Sequence, residues 1–473
     1  MKLGMYGLGR MGGNMAIRLA RHGHEVVLLN RTRSKSEEIH NQAPKSTIVD
    51  DLKSLVEALP SPKIVWIMLP CGEVTEQAIK SLGDMLNKGD IVIDGGNTFY
   101  KDDIRRAKML EAKGIHYVDV GTSGGVWGLE RGYCMMYGGS KEAVDHIDPI
   151  LDSLAPGMGD IPRTKGRNAN LNPRAEKGYL HCGPAGSGHF VKMVHNGIEY
   201  GIMQEFSEVY DILRKVAGKT NDEMSEIFAD WNQGLVQAYL SEITSEVLKQ
   251  EDDLTPDHVI DHILNVASYK GTGNWMLEDG VHLGVPISVI AEAVISRFMS
   301  KATTREGKEI KWEGEVPEDL IDNLGKALQL SQAVAYAQGF QQLKMAADAY
   351  NWELRYPAIA QSWEAGCIIR SSMLKDIEKA FAEGKQLDNM FQDPYFKDLM
   401  EKNLPALRKV LELATKAGIP TPTLSASLNY LESIFNPSLP ANLIQGQRDY
   451  FGAHTYFRND RDGVYHTEWY EEK

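Results

Sequence analysis

A lysine and a glutamate two helical turns apart, with histidine, asparagine and tyrosine around them, form a pattern suited to acid–base chemistry. The stretch is Gly188-His-Phe-Val-Lys-Met-Val-His-Asn-Gly-Ile-Glu-Tyr-Gly201. Wound as an α-helix at about 100° per residue, it puts Lys192, His195, Asn196, Glu199 and Tyr200 on one face. Phe190, Val194, Ile198 and Gly201 share the opposite face. At about 1.5 Å rise per residue, the Lys192 and Glu199 Cα atoms lie roughly 10 Å apart. A base and an acid at that spacing can reach opposite ends of one small molecule. The plain alternative is an amphipathic helix whose polar face meets water, but a solvated face seldom carries His, Asn and Tyr between its charges.

The first part of the chain supplies a nucleotide site for this face to work against. Lys2–Tyr6 reads as a buried strand and runs into Gly7-Leu8-Gly9-Arg10-Met11-Gly12, a GxGxxG turn. A helical pattern, Asn14–His22, and a second strand, Glu25–Leu29, follow. In such a βαβ unit the first glycine permits the tight turn and the second lets the backbone approach a pyrophosphate. The third lets helix and strand pack closely, with the phosphates at the helix N-terminus. A dinucleotide is therefore expected here.

The end of the second strand selects among dinucleotides. An acidic residue there would bind the ribose 2′-hydroxyl of NAD. This chain has Asn30-Arg31-Thr32-Arg33 instead. Two guanidinium groups and a hydroxyl attract a 2′-phosphate, so NADP is expected. Further strands end in Leu69-Pro70-Cys71, Gly95-Gly-Asn97 and Gly121-Thr-Ser123-Gly124-Gly125. Ligands of α/β sheets bind at such strand C-termini, which makes these turns site candidates.

At 473 residues the chain is expected to fold as about two to three domains. A formal charge of −14 argues against nucleic-acid and anionic-membrane partners. The four cysteines form neither a CxxC pair nor a histidine-spaced cluster, so no metal site is expected. No apolar run is long enough to span a membrane, and a cytoplasmic enzyme is the default.

Residues 156–177 read as an irregular linker rich in Gly, Pro, Asn and Arg. Beyond it strand signals fade and helical spacing takes over at Gly201–Val216, Asp222–Lys249, Leu320–Tyr350 and Pro405–Ala417. Lys270-Gly-Thr272-Gly falls in this region, where its lysine could hold a phosphate and Thr272 adds a hydroxyl donor, and Arg297 lies on the following helix. The terminal segment around Arg448 and His454 looks like no independent folding unit, and either frays or docks. The expected plan is an α/β Rossmann-like N-terminal domain (1–177), a large all-α domain (178–438) and a C-terminal tail (439–473).

Taken together and in this order, these motifs resemble the 6-phosphogluconate dehydrogenase family, over nearly the whole chain. The resemblance rests on Gly7–Gly12, Asn30-Arg-Thr32, Asp94-Gly-Gly-Asn97, Ser123-Gly-Gly125, His189–Tyr200, Lys270-Gly-Thr-Gly273, Arg297 and Gln447–His454. It implies oxidative decarboxylation of 6-phosphogluconate by a homodimer with shared active sites. Lys192 would be the general base and Glu199 the general acid. Asn97, Ser123, Gly124, Gly125, His195, Asn196 and Tyr200 would hold the sugar acid. Lys270, Thr272 and Arg297 would contribute mainly at its phosphate, and Arg448 and His454 would come from the other subunit. Asn97 would also touch the nicotinamide end of the cofactor.

Three departures from the family pattern stand out. Val126-Trp-Gly-Leu-Glu-Arg replaces the usual small, acidic stretch and is similar to shorter relatives, some of them NAD-linked, so NAD stays possible. Pro70 replaces a common lysine, and Asn274 replaces a second lysine after Lys270. The alternatives are a β-hydroxyacid dehydrogenase acting on a substrate without phosphate, and a non-catalytic NADP-binding protein.

Overall fold

The computed structural model describes residues 1–158, 173–268, 271–302, 307, 312–382 and 387–470. Eight strands form one sheet: β1 (Lys2–Tyr6), β2 (Glu25–Leu29), β3 (Thr47–Ile48), β4 (Ile64–Ile67), β5 (Ile91–Asp94), β6 (His116–Ser123), β7 (Cys134–Gly138) and β8 (Tyr179–Gly183). Their spatial order is β3-β2-β1-β4-β5-β6-β7-β8. Only the β6–β7 pair is antiparallel. The strand order reverses beside β1, and the crevice at this point, outside the strand C-termini, is where a doubly wound sheet takes its ligand.

Residues alternate between two cores. Leu3, Met5, Trp66 and Ile93 face one, while Val27, Val65, Ile67 and Val92 face the other. Burial on both sides explains the continuous apolar runs of these parallel strands. Strands β1, β2 and β5 fall where the sequence placed them. β4 stops at Ile67, which leaves Leu69 and Pro70 to the turn. β3, β7 and β8 carried no legible signal. β7 is Cys-Met-Met-Tyr-Gly, without a β-branched residue, and owes its conformation to strands pairing on both edges.

The expected boundary at 177 therefore falls within the sheet, because β8 follows it. For the same reason the segment after 178 is not wholly helical. Helix Ser187–Lys215 starts just past β8 and packs on β6, β7 and β8. It also packs on helices Thr272–Leu283, Ser288–Lys301 and Leu320–Tyr350. A Cβ at Gly188 would stand 2.5 Å from Tyr137 Cα, and one at Gly197 would stand 1.8 Å from Met276 Sδ. Missing side chains thus let this one helix touch both the sheet and the helical array. Residues Met1–Ser427 consequently form one compact unit.

Helix Leu320–Tyr350 matches expectation, whereas the helix expected over 222–249 breaks into Asn221–Trp231 and Tyr239–Lys249. The break follows Asn232-Gln-Gly234, where Asn232 Oδ1 accepts the Ala238 N–H at 3.0 Å. Pro405 lies inside helix Pro394–Ala417 rather than opening it.

Leu428–Lys473 is a second compact unit, contrary to the expectation of a tail without folded structure of its own. Helix Ala441–Gly452 and the pair Tyr456–Phe457 with Val464–Tyr465 gather around Asp449. The buried Asp449 carboxylate accepts from the Thr455 and Thr467 N–H groups, Trp469 Nε1 and His466 Nδ1, all within 3.0 Å. Among the described residues no helix is long and apolar enough to cross a membrane.

Candidate active site

At the C-terminal edge of the sheet lies a cavity of about 850 Å³. Gly7, Gly9, Arg10, Met11 and Gly12 line it from the first turn, Asn30, Arg31 and Thr32 from the end of β2. Leu69, Pro70 and Asn97 line it from the turns after β4 and β5. The three glycines serve the distinct purposes the motif requires. Gly7 has φ +102°, and a Cβ there would stand 2.4 Å from Met68 O. A Cβ at Gly12 would meet Gly7 O at 2.1 Å, while Gly9 faces open space. An approaching pyrophosphate therefore meets bare backbone at Gly9, at the N-terminus of helix Arg10–Arg21.

Three expected cofactor residues do not line the cavity. The Leu8 side chain is buried, and its N–H donates to Asn30 Oδ1 at 3.0 Å, so it braces the turn. The exposed thiol of Cys71 stands outside the lining. Arg33 turns aside to pair with Glu37 at 3.1 Å and with Asp50. Asp50 and Asp51 do line the cavity. Acidic residues outside any motif, such as these two, gave no sequence signal.

Beyond Asn97 the lining reaches Thr122 on β6. Thr122 Oγ1 and Ser123 Oγ are buried and have no hydrogen-bond partner within the described chain. Two such hydroxyls at the strand's end suit a polar ligand, since an unsatisfied buried group is costly. Gly124, with φ +127°, continues into a second cavity of about 450 Å³, and Gly125 has φ +57°.

Helix Ser187–Lys215 lies across β6 at this point. A Cβ at Gly121 would stand 2.4 Å from Lys192 Cβ, so the lysine lies over the strand one residue before Thr122. Lys192, His195, Asn196 and Tyr200 are all buried, which rules out a merely solvated face. Lys192 Nζ stands 3.2 Å from His195 Nδ1. His195 Nδ1 is 3.3 Å from Asn196 Oδ1 and 3.9 Å from Glu199 Oε2. On its other side, His195 Nε2 meets Cys367 Sγ at 2.8 Å.

Burial governs the protonation of this group. Desolvation lowers the Lys192 pKa, against the opposing pull of Glu199. His195 is likewise lowered by desolvation, and burial pushes the Cys367 thiol well up. Both neighbours of the amine are thereby held neutral. Cys367 carries no sequence signal, because it lies far along the chain in a turn without a motif.

Tyr200 links this face to a cationic corner. The Arg297 guanidinium lies 3.9 Å from the centre of its ring and donates to Ser268 O at 2.6 Å. Gly273 packs against the other part of the ring, where a Cβ would stand 2.6 Å from Tyr200 Cδ2. Thr272, the buried first residue of helix Thr272–Leu283, immediately precedes this contact. Lys270 lies outside the described residues. Arg448 and His454 are exposed side chains of the unit Leu428–Lys473.

The site helix is anchored at its N-terminus by a carboxylate that no sequence motif marks. Asp119 of β6 accepts the Gly186 and His189 N–H groups, each at 2.7 Å. His189 Nδ1 in turn meets Asp103 Oδ2 at 2.8 Å. These bonds satisfy N–H groups that a helix start leaves without intrahelical partners, so this group holds the helix in place against β6.

Against known proteins, two family models match. The NAD binding domain of 6-phosphogluconate dehydrogenase matches residues 2–161, and the C-terminal domain of 6-phosphogluconate dehydrogenase matches residues 188–469. The chain belongs to the 6-phosphogluconate dehydrogenase family. The NADP(+)-dependent, decarboxylating 6-phosphogluconate dehydrogenase of Bacillus subtilis is 42% identical over 478 residues, with 99% of each chain covered. The decarboxylating enzyme of Escherichia coli K12 is 41% identical over 478 residues, again with 99% of each covered. Among solved structures, 6-phosphogluconate dehydrogenase of Plasmodium falciparum superposes with a TM-score of 0.90 at 35% identity, covering 99% of this chain and 100% of that one. That protein is described in its apo form, with NADP+ and with 6-phosphogluconate. In 6-phosphogluconate dehydrogenase terms, the cofactor-domain match ends at residue 161 and the C-terminal match opens with the site helix at 188, so β8 lies between the two.

Proposed function

We propose that this chain oxidatively decarboxylates 6-phospho-D-gluconate to D-ribulose 5-phosphate and CO₂, with NADP as the oxidant. The observation that carries the reading is the buried Lys192, laid over β6 one residue from the cofactor cavity and 3.2 Å from a neutral His195. The cavity fits the cofactor: bare backbone at Gly9 for the pyrophosphate, Arg31 and Thr32 for the 2′-phosphate, and Asn97 and Thr122 at the far end. Bound there, NADP supplies the hydride acceptor.

The side chains account for the proton transfers. Lys192, kept neutral by desolvation, takes the C3 hydroxyl proton as C3 is oxidised. Its ammonium then donates to the C3 oxygen, which accepts electrons as CO₂ departs. Glu199, on the same helix face, delivers a proton to the carbon that carried the carboxylate, which becomes C1 of ribulose 5-phosphate. Lys192 meanwhile takes back the proton from the C3 oxygen as the ketone forms. Ser123, Gly124, Gly125, His195, Asn196 and Tyr200 orient the sugar acid, and Thr272, Arg297 and Lys270 bind its phosphate. Arg448 and His454 reach the site of a second copy, which makes the working unit a homodimer. The division into an N-terminal cofactor domain, a helical domain and a C-terminal segment follows the same reading, with the first boundary moved past β8.

The test is to mix purified protein with 6-phosphogluconate and NADP, and to follow reduced cofactor and CO₂ together. Equal yields of both support the reaction. Cofactor reduction without CO₂ would favour a simple hydroxyacid dehydrogenase.

A further inference from the structure

We propose that Asp50 is a specificity-determining residue, which weakens the preference for NADP over NAD by drawing Arg33 away from the 2′-phosphate corner. The inference rests on the cofactor reading above. Arg33 and Arg31 stand two residues apart at the end of β2, where both could meet a 2′-phosphate. Only Arg31 lines the cavity. Arg33 directs Nη1 to Asp50 and Nε to Glu37, the latter at 3.1 Å.

Asp50 matters doubly, because it lines the cavity itself beside Arg31 and Thr32. Its carboxylate neutralises one cation and also repels an incoming phosphate dianion. Asp51, its neighbour in the lining, acts elsewhere, accepting the Ser54 N–H at 2.7 Å and capping helix Leu52–Glu57. The two acids are therefore separable by mutation. The charged groups gathered at this corner are Arg10, Arg31, Arg33, Glu37, Asp50 and Asp51.

The Arg33–Asp50 pair is solvent-exposed, with side-chain exposures of 57% and 73%. Its influence is accordingly moderate and sensitive to salt. An unphosphorylated ribose carries no charge and meets a carboxylate only through its hydroxyls, so NAD should not share the gain expected for NADP.

The experiment is equilibrium titration of the full-length protein with NADP, NAD, and the fragments adenosine 2′,5′-bisphosphate and adenosine 5′-monophosphate. The variants are Asp50→Asn, Arg33→Ala and the double substitution. Asp50→Asn should tighten NADP and the bisphosphate by about two- to fivefold at low salt, and give no such gain for NAD and the monophosphate. The gain should shrink in the double variant, which loses the part due to a released Arg33 and keeps only the relieved repulsion. Equal changes for both coenzymes, no change in either, or a gain undiminished without Arg33 would overturn the assignment of Asp50. If the wild-type protein bound neither dinucleotide, the cofactor reading itself would fall with it.

Discussion

Gly121 of β6 and Lys192 of the site helix meet so closely that a Cβ on the glycine would stand 2.4 Å from the lysine Cβ. The strand therefore sets the position of the base directly. Gly121→Ala should push the helix away at this one point, an overpacking cost of about 1–3 kcal/mol. A shift of about 1 Å at a catalytic group can lower turnover by about 10²-fold. We expect kcat to fall much more than the melting temperature, measured by steady-state kinetics beside thermal unfolding. A folded variant with near wild-type kcat would show that Gly121 does not govern the base.

The protonation state of Lys192 gives a second prediction. Desolvation lowers its pKa, so the neutral amine becomes available as pH rises through that lowered value, below the usual lysine range. The acid limb of the kcat/KM profile should follow this rise. Lys192→Arg keeps the charge but cannot lose the proton near neutrality. It should still bind 6-phosphogluconate while losing both reduced-cofactor formation and CO₂ release. Substantial turnover by this variant would remove Lys192 from the base role.

Much of this site is legible from local sequence, and the remainder is not, for a physical reason. Lys192, His195, Asn196 and Tyr200 share a helix face, and the turn residues Gly7–Gly12, Asn30–Thr32 and Asn97 follow strands with clear apolar runs. Each is specified within a few residues of chain. Cys367, Asp119 and Asp50 act through partners 172, 67 and 17 residues away, a thiol against His195, a carboxylate under Gly186 and another against Arg33. No periodicity records such pairings. Strands β7 and β8 are illegible on similar grounds, since their pairing partners supply what their own residue types do not.

His189 gives a prediction about stability rather than rate. Burial opposes its charge, but Asp103, through charge and a hydrogen bond, and then Asp119 and Asp94 outweigh this and raise its pKa to about 10. A raised folded-state value means that the imidazolium stabilises the fold fully below about pH 6.5, and that the contribution disappears as pH rises through about 10. Asp119 is also raised, to about 7, chiefly by desolvation, so its own contribution is lost earlier, as pH passes from about 4 through 7. Above about pH 7.5 the Asp119 contribution is already spent, and the comparison with a histidine variant reads what remains. The urea midpoint of wild type should exceed that of His189→Gln clearly at the lower end of this interval, and the gap should close toward about pH 10.5. A gap independent of pH would mean that His189 contributes by packing alone.

The proposed sharing of sites between subunits can be tested by complementation. Lys192→Ala removes the base from the helix, and Arg448→Ala removes a cation from the C-terminal unit; each variant alone should be nearly inactive. In a mixed dimer of the two, one site combines both defects. The other has an intact helix from one subunit and an intact C-terminal segment from its partner. With random pairing, half the dimers are mixed and each carries one good site, so about a quarter of wild-type activity should return. Co-expression of the two differently tagged variants, followed by tandem purification to select mixed dimers, should raise the recovery to about half. Sites completed within one chain would recover nothing under either protocol, because no subunit then holds both Lys192 and Arg448.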